Sequence, residues 1–143
     1  MLGLEKLKPL GLLFLRLGLG AIFISHGYAK LANIHNWMAN FQHMGFPSYF
    51  AYLAGIIEFF GGIMLVAGLF TRLAGLIIAV EMAIAILRVH IPMGPITQIR
   101  DYEFPMALAV GTFALATLGA GLISFDHIIF GARGARSARK TKG

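Results

Sequence analysis

Glu58, Glu81, Arg88 and His90 stand inside, or at the edge of, one long apolar stretch between Gly55 and His90. An ionisable group at membrane depth costs about 2.5–3.5 kcal/mol on insertion scales unless it is paired or faces a cavity. Residues of these types in such a setting therefore point to a binding pocket, a proton path or a set of ion pairs. Other parts of the chain supply partners. His26 and Lys30, spaced i and i+4, share one helix face, and Glu103 opens a later apolar segment. Arg16 interrupts the first apolar segment and lies deeper than His26 and Lys30.

Two chemistries compete for these groups. Lys30 and Arg88, Glu58 and Glu103, with His26 and His90 beside them, compose a polar pocket that would bind a small molecule or relay protons. Arg16 and Glu81 compose a deeper structural ion pair. The competing reading makes every charge a staple between helices, a role that buried pairs fill while adding little net stability. His26, His90, Glu58 and Glu103 carry metal-ligating atoms, but no short paired spacing such as HxxxH occurs on one helix, so no metal is assigned. No Walker, Rossmann or nucleophile-elbow pattern is present, and no catalytic residue can be named.

The elements that must position these groups follow from the apolar runs. Met1 to Pro9 reads as a short leader, with Pro9 suited to the first turn of a helix. The spans are expected at about 10–30, 49–70, 73–90 and 103–125, against the roughly 20 residues that a bilayer demands. Between the first two, Trp37, Phe41 and Met44 recur at helical spacing, which predicts a short interfacial helix ended by Gly45 and Pro47. Thr71-Arg72 forms a tight turn. Residues 91–102, with Pro92, Gly94 and Pro95, read as an apolar loop, and residues 131–143 as a basic tail. The membrane domain is thus 10–130. Arg16 breaks the apolar region, and no small-residue cleavage site follows, which argues against a signal peptide.

Composition supports the same class. Hydrophobic residues make up 58% of the 143 and charged ones 13%, against roughly 25% charged in soluble domains. Apolar surface on that scale calls for lipid. The chain has no cysteine, which excludes disulfides, thiolate metal sites and thiol redox chemistry of its own. The net charge of +6 is concentrated at the two ends, a flank pattern and not a nucleic-acid face. Lys6, Lys8, Arg72 and the tail fall on one side of a four-span arrangement, and that side is expected to be cytoplasmic. Tyr28, Trp37, Tyr49, Tyr52 and Tyr102 collect on the other, as an aromatic belt.

The pieces RLGLGAIFISHGYAKL from Arg16, GFP at Gly45, GIIEFFGGIMLVAGLFTRLAG from Gly55, EMAIAILRVH from Glu81 and YEFPMAL from Tyr102 together resemble the DoxX family of small four-helix bacterial membrane proteins. The resemblance spans about Arg16 to Asp126. It implies that Arg16, His26, Lys30, Glu58, Arg72, Glu81, His90, Glu103 and Asp126 are polar positions shared with the family. It also implies membrane redox chemistry. Some relatives are the membrane subunit of a thiosulfate:quinone oxidoreductase, and others are linked to a complex with superoxide dismutase and a sulfurtransferase in oxidative-stress defence. Fold membership alone does not settle activity.

The resulting expectation is an all-α, four-helix integral membrane protein of the bacterial inner membrane, with both termini cytoplasmic. It has no intrinsic cofactor and binds a quinone head group in the outer half. His26 and Lys30 would hydrogen-bond the carbonyls, Glu58 or Glu103 would exchange protons, and Arg88 would hold the acids ionised. Lipid, redox subunits or a second copy are the expected partners, and nucleic acid is not. The rivals are a non-catalytic scaffold within a larger membrane complex and a small transporter or proton path.

Overall fold

The computed structural model describes residues 2–90 and 99–131. The described residues form helices and turns without a strand. A short 3-10 turn at Leu4–Leu7 leads into α1 (Lys8–Ala32), which carries Pro9 in its first turn. There the missing N–H costs nothing. Then come α2 (Ile34–His43), α3 (Phe50–Ala67), α4 (Thr71–Ala85) and α5 (Glu103–Leu118). A π turn at Ile86–His90 extends α4, and another at His127–Gly131 ends the described chain.

α1 packs chiefly on α3, and α4 on α5, with α3 and α4 joining the two pairs. Glycine decides how close each pair comes. A Cβ on Gly62 of α3 would stand 2.8 Å from the Gly20 carbonyl and the Ile24 nitrogen of α1, and one on Gly75 would stand 2.7 Å from the Thr112 carbonyl of α5. Backbones this near gain dispersion that lipid cannot supply, which is how helices associate without a hydrophobic drive. Phe23, Leu65, Ile78 and Leu115 fill the interior between the pairs.

The outside is as apolar as the inside. Phe14, Phe60, Leu73, Val80, Val110 and Phe113 are all exposed, while Arg16, Lys30, Glu58, Thr71 and Thr112 are buried. Apolar exposure on this scale marks a surface covered by something other than water. α1 and α3 are long and apolar enough to cross a membrane, and α5 is a shorter apolar helix.

The boundaries differ from expectation where backbone chemistry intervenes. The last long helix stops at Leu118 and not near Phe125, because Gly119 and Gly121 adopt φ of 82° and 84°. Regular α-helix in the third segment stops at Ala85, after which the π turn carries Arg88. Between α3 and α4 the chain turns through Gly68 and Phe70, at φ 68° and 48°. The expected short helix after the first segment is present as α2, lying against α3. The expected loop around Pro92, Gly94 and Pro95 and the basic tail beyond residue 131 lie outside the described residues.

Candidate functional site

Lys30, on the last turns of α1, reaches across to Glu58 in the middle of α3. Nζ lies 2.5 Å from Oε2, with both residues buried. The contact exists because the helices are at close quarters there. A Cβ on Gly27, one turn below Lys30, would stand 2.8 Å from the Gly55 carbonyl. α2 folds over the pair and lays the Trp37 ring 4.9 Å from Lys30 Nζ. One cation thus meets a carboxylate and an aromatic face, each favourable to it where water is scarce.

Glu81 of α4 completes the cluster. Glu58 and Lys30 are the charges acting on it, and its Oε2 is buried without a hydrogen-bond partner among the described residues. A buried acceptor left unpaired costs about 1–3 kcal/mol. All three side chains line one cleft of about 1100 Å³, walled by Trp37, Phe41, Phe46, Phe50 and Phe104. His26 lines it too, its ring 5.7 Å from that of Phe104. Its Nδ1 lies 2.8 Å from the Ile22 carbonyl. A carbonyl only accepts, so Nδ1 carries the proton of the neutral ring and Nε2 carries the lone pair.

The structure therefore brings His26, Lys30, Glu58 and Arg88 to one cleft, with Arg88 on its exposed part. Glu103 is exposed at the start of α5, beside Phe104 and Pro105, which do line the cleft. The His90 side chain lies outside the described residues. Arg16 and Glu81 are not paired. Arg16 donates to the Ile123 carbonyl, with Asp126 as the opposite charge acting on it, and a Cβ on Gly68 would run into its guanidinium. Gly68 precedes α4, and Glu81 lies ten residues beyond Thr71, about 15 Å up the helix at 1.5 Å per residue. That rise separates the two residues.

Charged groups at the Arg16 end serve backbone. Asp126 accepts from the Phe70 and Thr71 amides at 2.6 and 2.9 Å, capping α4 from more than fifty residues away, and its own N–H donates to the Gly68 carbonyl at 2.8 Å. Arg72 donates to the Ala116 and Thr117 carbonyls at 3.2 and 2.5 Å, closing the C-terminus of α5. These are the orphan groups that every helix end exposes.

Residue order pairs Glu81 with Arg16, which the helix rise keeps apart, and gives Trp37 no role beyond the interface. Counting helix rise upward from the Thr71 turn would have moved Glu81 toward Glu58. Nothing in the sequence marks Trp37 as the ring that covers Lys30.

Comparisons with known proteins identify the family. The DoxX family model matches residues 11–91. The chain is 31% identical over 130 residues to "Putative oxidoreductase CatD" of Bacillus subtilis (strain 168), covering 89% of this chain and 92% of that one. It is 42% identical over 89 residues to an uncharacterized protein of Haemophilus influenzae (62% and 65% covered), and 24% identical over 126 residues to Inner membrane protein YqjF of Escherichia coli K12 (88% and 97% covered). No solved structure matches. The chain belongs to the DoxX family and is a membrane protein.

Proposed function

We propose that this protein is a four-span protein of the bacterial inner membrane, with both termini cytoplasmic, and that its cleft binds the head group of a quinone as part of a redox complex. α1, α3, α4 with its π turn, and α5 are the four spans. The name of the Escherichia coli relative favours the inner membrane, and that of the Bacillus subtilis relative favours oxidoreductase chemistry. The observation that carries the reading is a cleft of about 1100 Å³ whose aromatic walls surround a buried ion pair and a Glu81 carboxyl oxygen without a hydrogen-bond partner among the described residues. Pockets of roughly 300–1,000 Å³, mostly apolar with a few placed polar groups, are the usual form of small-molecule sites.

Each group has a part in this reading. Phe41, Phe46, Phe50 and Phe104 hold the ring between apolar faces. Lys30 donates to one of its oxygens, the His26 Nε2 lone pair accepts from the hydroxyl that forms on reduction, and Glu58 and Glu81 exchange protons with the ring. With no cysteine in the chain, electrons reach the bound ring from a partner subunit.

Trp37 is the single tryptophan of the chain and lines the cleft, so its fluorescence reports occupancy. Titrating a short-chain benzoquinone into detergent-purified protein should quench it along a saturable curve. The same titration on Lys30→Met/Glu58→Met should lose saturation. A linear, collisional response in the unaltered protein contradicts the proposal.

A further inference from the structure

The two flanks of the cleft are unlike. On the α1–α5 side the rings of His26 and Phe104 approach to 5.7 Å. On the α3–α4 side the lining is aliphatic and exposed, with Leu53 on α3 and Leu76, Ile77, Val80 and Ile84 on α4. Leu76, Val80 and Ile84 stand at i, i+4 and i+8, so they form one stripe along α4. Its lower part, from Val80 to Leu76, runs about 6 Å past the level of Glu81 toward the Thr71 end. The cleft is thus polar where Lys30, Glu58 and Glu81 meet and apolar along this flank.

Chain length keeps the lower part of this flank uncovered by the rest of the protein. Residues 91–98 are tethered to His90 and to Ile99, and eight residues held at both ends reach about 16 Å at full extension. Leu76 lies fourteen residues before His90, about 20 Å down the helix. The segment beyond residue 131 carries five cations and no large apolar side chain, which is the wrong composition to cover an apolar groove at membrane depth.

A ring alone leaves much of the cleft empty, since whole drug-sized ligands occupy roughly 300–1,000 Å³. A free lipid chain gains no hydrophobic drive by leaving the bilayer for an apolar groove. A ligand whose head is held at the polar end brings its own tail to that groove. Resting on the proposed quinone-site reading, we infer that the ligand is a tailed quinone that enters sideways from lipid between α3 and α4. Its ring lies at Lys30 and Glu81, and the first part of its apolar tail lies along Val80, Ile77 and Leu76. Leu53 and Ile84 flank the opening through which it passes.

The inference is tested on the full chain in detergent by Trp37 quenching with three benzoquinones of one ring: one without a tail, one with a decyl tail, and one with a polyether tail of the same length. Concentrations are counted per mole of detergent, so that partition into the micelle cancels. The decyl compound should then bind about fivefold or more tighter than the tail-less one, the scale of added dispersion contacts and not of a hydrophobic transfer. The polyether compound should gain less than about twofold, because an apolar groove leaves its oxygens without donors. Val80→Phe fills the groove and should cut the decyl preference to about twofold or less. Val110→Phe, on an exposed α5 position that does not line the cleft, should keep that preference.

A decyl compound no tighter than the tail-less one in the unaltered protein overturns the tail groove and leaves the quinone site standing; a second copy or a subunit covering this flank would give that result. A polyether compound as tight as the decyl one overturns it as well, and so does a full decyl preference in Val80→Phe. Failure of all three probes to bind saturably removes the quinone site and the inference with it. The three-probe comparison uses the unaltered protein and so does not depend on either variant folding.

Discussion

The two ends of the helix pairs hold charge in opposite ways. At one end Arg16, Arg72 and Asp126 are spent on backbone. Asp126 caps the amides that open α4, Arg72 caps the carbonyls that close α5, and Arg16 holds the carbonyl of Ile123. At the other end Lys30, Glu58 and Glu81 meet each other, and they line an open cleft beneath Trp37. Charges that satisfy helix termini hold the chain together, although Arg16 Nε and Nη1 find no hydrogen-bond partner among the described residues. Charges that face a cavity and leave one oxygen without a partner among the described residues carry a cost to stability that a ligand can relieve. The difference supports the proposed division, in which one end serves the fold and the other serves binding.

Substitutions at the two ends should therefore separate stability from ligand affinity. The largest effect is expected for Lys30→Met, which strands Glu58 as a buried charge without its cation. Breaking a buried pair on one side costs about 3–5 kcal/mol, read as a fall in the detergent melting midpoint, and ligand quenching should be lost with it. Asp126→Ala should come next. It removes a helix cap, at about 0.5–2 kcal/mol, and takes the opposing charge from Arg16, yet the affinity of any cleft ligand should stay within about twofold of the unaltered protein. Arg72→Met should be the mildest, about 0.5–1.5 kcal/mol for hydrogen bonds to the end of α5, again with affinity unchanged. A loss of ligand binding in Asp126→Ala or Arg72→Met would erase the division between the ends.

Much of this architecture was legible from residue order because the bilayer leaves few alternatives. A helix must satisfy its own backbone in lipid, so apolar runs near 20 residues announce themselves, and Trp37, Phe41 and Met44 at helical spacing announced α2. The residues His26, Lys30, Glu58 and Arg88 were readable as a group because their depths agree. What escaped the sequence depended on angle and contact. Sequence alone pairs Glu81 with Arg16, and only the packing of α4 against α3 shows that it faces Glu58. The apolar run carries the last span to about residue 125, seven residues past the end of α5, because positive φ at Gly119 and Gly121 is invisible in an apolar run. Asp126 read as the close of a span, whereas its role is to cap a helix that begins more than fifty residues earlier, a relation no local pattern carries.

The central claim is that the Lys30–Glu58 pair exists for what enters the cleft and not for holding α1 to α3. The paired variant Lys30→Met/Glu58→Met tests it directly, because replacing both members of a buried ion pair by apolar side chains of similar size is close to neutral for folding. Thermal melting and Trp37 quenching measured on the same preparation should give a melting midpoint within a few degrees of the unaltered protein and no saturable response to either quinone or hydroquinone. An unchanged midpoint with ligand binding intact would contradict the claim, and so would a collapse of the fold that matches the single Lys30→Met variant.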